Sequence, residues 1–269
     1  MRQWRLIYNR PTPGAYNMAI DETLLQSVAS GESLPTLRLY EWEPFCLSLG
    51  YGQRIRDIDL QRIEANGWDI VRRPTGGKAI LHGDELTYSV VLPKDHELAQ
   101  GDVIESYRRI SEALLAALRC LGLSPQSEKQ TAGNKGLGPV CFEVPSHYEI
   151  TADGKKLIGS AQVRRRQGIL QHGSLPLFGD IARICDALKY PDEATRAAAK
   201  NAVRLRAVTL EDVARKMISW AEAAEAIVHG FAETFNIEFV RDEFNDNELE
   251  QVEAFHRTRY AHPDWMNKR

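Results

Sequence analysis

The chain has 269 residues, a formal net charge of -3 and 43% hydrophobic content, enough to bury a core of ordinary size in one large domain or two small ones. The slightly acidic balance gives no global electrostatic case for nucleic acid. No apolar run is long enough to span a membrane, and "MRQWRLIYNRPTPG" lacks the apolar segment of a signal peptide. These exclusions point to a soluble globular protein of the cytoplasm.

In chain order, "WRLIY" predicts an opening strand, and "AYNMAIDETLLQSVA" carries Tyr16, Met18, Ile20, Leu24 and Leu25 at helical spacing after a Pro-Gly turn. "TLRLYEW" and "FCLSLGYG" read as two strands joined at Glu43-Pro44, and "RIRDIDLQRIEANG" as a short helix stopped by Asn66-Gly67. The stretch "RRPTGGKAILHGDELTYSVVLP" follows as strand, Gly-Gly turn and strand. Within it Leu86, Tyr88, Val90 and Leu92 alternate with Thr87, Ser89 and Val91, the pattern of a sheet edge or half-buried strand. Over 102–121, Ile104, Tyr107, Ile110, Leu114, Leu118 and Leu121 line one face of a helix, with Asp102 as its cap and Gly122 beyond its end. Residues 124–140 form a polar, glycine-bearing loop, expected to act as a gate that moves. Two strand-like segments then turn at Asp153-Gly154 and near Gln167-Gly168, and from Asp180 onward the pattern is mostly helical. With no internal repeat or linker, the expectation is a single α+β domain over 1–269, with helices around mixed β-sheets.

Gly76 and Gly77, lacking Cβ atoms, can take strained backbone angles and let a carboxylate, a phosphate or a developing oxyanion touch main-chain N–H groups. A plain hairpin turn also accounts for them. His82 reads either as a structural histidine or as a catalytic one. The four cysteines, Cys46, Cys120, Cys141 and Cys185, lack Cys-x-x-Cys spacing, which argues against structural zinc and a disulfide scaffold. Cys120 and Cys185 sit in apolar helical contexts and Cys46 in an apolar strand, as small buried hydrophobes do. Cys141 differs, being flanked by polar loop and proline, and Lys156 follows fifteen positions later on a strand. A nearby ammonium favours a thiolate, so the two together suit acyl transfer. A buried thiol and a solvated lysine are the plainer alternatives.

The fragments "RRPTGGKAILH", "ELTYSV", "CFEVPS", "KLIGSAQ" and "ILQHGS", in that order, resemble the biotin/lipoate A/B protein ligase family, and within it the LipM-type octanoyltransferase branch. The resemblance spans roughly 1–267. It implies a mixed-sheet α/β domain in which the Gly-Gly segment and the lysine strand line a tunnel for a medium-length acyl chain, with no metal or other cofactor. By the same resemblance Cys141 matches the acyl-thioester nucleophile, and Lys156, three before Gly159, matches the family lysine. Gly76 and Gly77 would present backbone to the acyl carbonyl, Arg72 and Arg73 would support that loop, and His82 would help close the site. Gln171, His172 and Gly173 would form another wall. The implied reaction is ping-pong transfer of octanoyl from octanoyl-acyl carrier protein to a lysine of a lipoyl-accepting protein, such as the glycine cleavage H protein or a 2-oxoacid dehydrogenase subunit.

Two positions depart from the family pattern: Gly83 separates His82 from Asp84, where an aspartate commonly follows directly, and Met266 separates Trp265 from Asn267. An ATP-dependent lipoate or octanoate ligase, an octanoyl amidotransferase working between lipoyl domains and a non-catalytic acyl-chain or lipoyl-domain binder remain as alternatives. Arg164, Arg165 and Arg166 form a basic cluster suited either to an acidic carrier or simply to water.

Overall fold

Strand pairing sorts the chain into a large sheet and a small one. The computed structural model describes residues 2–128 and 149–268. Its strands are β1 (Arg2–Tyr8), β2 (Thr36–Tyr40), β3 (Cys46–Leu49), β4 (Asp69–Arg72), β5 (Ile80–His82), β6 (Glu85–Pro93), β7 (Gln126–Glu128), β8 (Glu149–Ala152), β9 (Lys155–Arg164), β10 (Gly168–Pro176) and β11 (Ile237–Arg241). Its helices are α1 (Gly14–Ser30), α2 (Leu60–Ala65), α3 (Val103–Cys120), α4 (Glu193–Arg206), α5 (Leu210–Ala214), α6 (Trp220–Phe235), α7 (Asp246–Phe255) and α8 (Pro263–Met266). Among the described residues the large sheet has eight strands in the order β11-β1-β2-β6-β10-β9-β8-β7, and the small one runs β4-β3-β5. This is the mixed-sheet α+β architecture expected from the sequence.

Helix α3 starts where its cap predicts. The Asp102 side chain accepts from Glu105 N at 2.8 Å, and the Glu105 carboxylate accepts from Asp102 N at 3.0 Å, a reciprocal capping box. Ile110, Leu114 and Leu118 on its apolar stripe then pack with Ile227 and Phe231 of α6 and with Leu86, Tyr88 and Val90 of β6 in one buried cluster. The two helices approach closely at Gly230, where a Cβ would lie 2.5 Å from the Ala113 carbonyl oxygen and 2.6 Å from Ala117 N. Backbone cannot yield cheaply at such contacts. Gly230→Ala is therefore expected to lower stability by about 1–3 kcal/mol through overpacking, despite the better helix propensity of alanine. Thermal melts of the two proteins check this.

Two expectations need correction. Strand β6 is neither an edge nor half-buried, since it lies between β2 and β10 and is covered on both faces. Its alternate residues are polar because Ser89 donates to the buried Asp21 carboxylate at 3.0 Å and Thr87 bonds Glu85, not because they meet water. From Asp180 onward the described chain is mostly helical, as expected, with β11 pairing in parallel with β1. Cys120, the last residue of α3, is exposed rather than buried, whereas Cys46 and Cys185 are buried as expected.

In the basic cluster, Arg164 donates to the carbonyls of Gly101 and Asp102 at 2.8 Å each and so braces the turn before α3. Arg165 stands 4.0 Å from Glu22. Among the described residues no helix is long and apolar enough to cross a membrane.

Candidate active site

After β4 the chain turns through the arginine and glycine loop into β5. Gly77 has φ +94°, a conformation that side-chain-bearing residues rarely adopt. The loop is held from inside by Arg73, whose Nη2 donates to the carbonyls of Gly76 at 2.8 Å and Lys78 at 2.7 Å. A neighbouring glycine that sequence reasoning passed over is equally necessary, because a Cβ on Gly50 would overlap the Gly77 carbonyl. The two arginines expected to act together therefore diverge. Fully buried Arg72 donates instead to the carbonyls of Gly50 at 3.0 Å, Gln53 at 2.6 Å and Met266 at 2.7 Å.

A cavity of about 380 Å³ opens beside this loop. Met18, Tyr40, Trp42 and Ile80 give it apolar walls, into which a few polar groups converge, the usual character of a small-molecule site. Of the residues singled out from the sequence, Arg73, Gly77, His82, Lys156, His172 and Gly173 line it together. Gly173 is needed there, since a Cβ would lie 2.5 Å from Ser160 Oγ and 2.6 Å from the Tyr88 ring. Gly76 is exposed and Arg72 buried away from the wall, so neither lines the cavity. Gln171 does not line it either: as successive residues on β10, Gln171 and His172 face opposite sides of the sheet, and the Gln171 amide donates to Tyr88 Oη at 3.1 Å. Cys141 and most of the 124–140 loop lie outside the described residues.

Both imidazoles are backed by buried carboxylates that the sequence did not reveal. His82 stacks on Trp42 with centroids 4.0 Å apart, and its Nδ1 meets Glu85 Oε1 at 2.6 Å. Asp84, the acid nearest the family position, is occupied elsewhere, pairing with Arg183 at 2.9 Å. Glu85, not Asp84, is the carboxylate that faces His82. Burial by itself would raise the Glu85 pKa, but His82 and the hydroxyls of Ser174 and Thr87 outweigh it and hold the carboxyl below its usual range. His172 Nδ1 meets Asp21 Oδ2 at 3.1 Å. Asp21 also takes Arg38 Nη1 at 2.8 Å and the Tyr40 hydroxyl at 3.2 Å. Burial pushes Asp21 upward, yet its bond from His172 and the Arg38 charge prevail and keep it lowered. For His172 burial wins over Asp21, so its pKa is lowered from the ordinary histidine value.

Lys156 enters the cavity wall from β9. Its Nζ lies 2.6 Å from Glu149 Oε1, with both side chains buried, so the ammonium carries an intramolecular counter-ion unforeseen in sequence. Gly159 gives the lysine stem room, since a Cβ there would stand 3.2 Å from Lys156 Cε.

The chain is similar over its full length to known proteins. Octanoyltransferase LipM of Brevibacillus brevis is 40% identical over 277 aligned positions, covering 100% of both chains, and that of Exiguobacterium sibiricum is 41% identical over 276, again covering 100% of both. A bipartite lipoate protein ligase from Thermoplasma acidophilum superposes with TM-score 0.84 at 26% identity, covering 99% of this chain and 97% of that one. A lipoate-protein ligase A bound with ATP gives 0.82 at 26% identity, with 99% of each chain covered. Residues 13–232, which carry the arginine and glycine loop, the lysine strand and both cavity imidazoles, match the profile of the lipoyl protein ligase A/B catalytic domain, and the chain belongs to that family.

Proposed function

We infer that the protein is an octanoyltransferase of protein lipoylation. The observation that carries this reading is full-length similarity to octanoyltransferases in a chain whose apolar cavity brings Lys156 beside the glycine loop. Cys141 attacks the carbonyl of an octanoyl thioester on acyl carrier protein as a thiolate, and the carrier departs as its own thiolate, which takes up a proton. A lysine amine of a lipoyl-accepting protein, such as the glycine cleavage H protein, then attacks the enzyme thioester. The amide bond forms, the amine loses a proton, and the Cys141 thiolate is regenerated. Lys156 favours the thiolate and the negative tetrahedral centres. Arg73 and Gly77 shape the wall against the acyl group, with His82, His172 and Gly173 completing it. A thioester is already activated, so the reaction runs without nucleotide, and its compartment is the cytoplasm.

Similarity to a ligase bound with ATP keeps one rival reading, activation of free octanoate or lipoate as an adenylate. Intact-protein mass spectrometry separates the two. Mixing with octanoyl-carrier protein without ATP is expected to give a hydroxylamine-labile octanoyl adduct on wild type and none on Cys141→Ser. Product formed only from ATP, free octanoate and acceptor, with no adduct, would establish the ligase instead.

A further inference from the structure

The Arg73 guanidinium lies between two hydroxyl groups. Its Nε is 3.1 Å from Thr75 Oγ1, and its Nη1 is 3.2 Å from Ser48 Oγ. Beyond each hydroxyl stands a cavity imidazole: Thr75 Oγ1 is 2.7 Å from His172 Nε2, and Ser48 Oγ is 2.8 Å from His82 Nε2. Beyond each imidazole stands a buried carboxylate, Asp21 behind His172 and Glu85 behind His82. The result is one unbroken series, Asp21–His172–Thr75–Arg73–Ser48–His82–Glu85, in which every member is buried. Its residues come from α1, β10, the arginine loop, β3, β5 and β6, so no local sequence pattern announces it.

Donor and acceptor accounting assigns the protons. A guanidinium only donates, and each hydroxyl has one proton to give. Ser48 Oγ and Thr75 Oγ1 accept from Arg73, and among the described residues the imidazole nitrogen is the one acceptor against each hydroxyl, so their O–H bonds point toward the imidazoles. Nε2 of each ring is therefore the acceptor, and Nδ1 carries the hydrogen that is donated to the carboxylate. A carboxylate alone would favour the imidazolium form of its partner. The hydroxyl proton on Nε2 opposes that, because a protonated ring would bring a hydrogen to Nε2 and leave the hydroxyl proton without a buried acceptor.

We propose that Arg73 is a positioning residue that, through Ser48 and Thr75, keeps both cavity imidazoles in the uncharged form with hydrogen on Nδ1. Every ring nitrogen is then engaged within the protein, so His82 and His172 act as fixed walls and take no proton from substrate. Proton handling falls to Lys156. The charged and titratable groups around His172 are Asp21, with Arg38 and Tyr40 behind it, and Arg73 and His82 along the series; His82 faces Glu85. The Lys156–Glu149 pair belongs to the same cavity wall. The lowered His172 pKa agrees with this arrangement.

Nitrogen-15 NMR of the histidine rings in the full-length protein tests the proposal. Wild type at pH 7 is expected to show pyrrole-type Nδ1 and pyridine-type Nε2 for both rings. In Thr75→Ala, titration of His172 should move upward by about one pH unit, the worth of one hydrogen bond to the neutral form, while His82 stays unchanged. Ser48→Ala should move His82 alone, and Arg73→Gln should move both. A wild-type ring with its hydrogen on Nε2, or a His172 titration unchanged by Thr75→Ala, overturns the proposal. The hydroxyl variants keep the test decisive if Arg73→Gln fails to fold. The role of the rings in acyl transfer rests on the octanoyltransferase reading, but these spectra need neither acyl donor nor acceptor, so the two stand or fall separately.

Discussion

Asp21→Asn is expected to destabilise the protein by about 3–5 kcal/mol, the usual cost of removing one partner from a buried ion pair. Asp21 and Arg38 are both 0% exposed and 2.8 Å apart, so the variant leaves a buried guanidinium that cannot discharge. The Arg38 bonds to Asn9 and Asn17 at 2.6 Å each supply dipoles but no countercharge. Denaturant titration at pH 7 measures the loss, and a value below about 1 kcal/mol would mean that those amides suffice. The pH dependence has a definite sign. Asp21 and Glu85 are lowered in the folded state, so their stabilisation is complete above about pH 4 and is lost as pH falls through their folded values. His172 is also lowered, so the unfolded chain binds its proton first and stability begins to decline below about pH 6.5. Wild-type melting temperature should begin to fall below about pH 6.5 and fall further below about pH 4, and Asp21→Asn should show the shallower slope only in the second range.

Lys156→Met is expected to lower the rate of acyl-enzyme formation by about 10²–10³-fold, as loss of a preorganised charge at a developing oxyanion does. The deficit should fall on kcat more than on KM, because the carrier's docking surface is untouched. Glu149→Gln supplies the contrast. It keeps an acceptor for the ammonium, which stands 2.6 Å from the carboxylate in the native protein, but removes the opposing charge, so its rate should remain much closer to wild type. Stopped-flow release of carrier thiol reads both variants. A Lys156→Met rate within tenfold of wild type would remove the lysine from the chemistry.

The elements that sequence reasoning located are those in which one physical demand dominates. Helix α3 announces itself through a cap and one apolar stripe, and the glycine loop through Gly77, whose φ of +94° favours a residue without Cβ. What escaped notice lies where burial and polarity coincide. Asp21 in α1 and Thr87 and Ser89 in β6 look solvent-facing by periodicity, yet inside the protein Ser89 meets Asp21, Asp21 meets His172, and Thr87 meets Glu85. Glu149 sits in a short strand with no signal of its own. Arg72 and Arg73 are adjacent and chemically identical, and opposite strand faces send them to different tasks. Gly50 was passed over because its constraint comes from Gly77, a contact that local sequence cannot express.

The clasp between Arg72 and the C-terminal turn has a temporal consequence. Trp265 Nε1 donates to the Arg72 carbonyl at 2.8 Å, while the Arg72 guanidinium reaches back to Met266 O at 2.7 Å. The strand that launches the glycine loop is thus buttressed by residues made almost two hundred positions later. On the ribosome the Arg72 clasp itself can close only once Trp265 and Met266 of α8 have been made, so its support for the loop is acquired after the loop is synthesised.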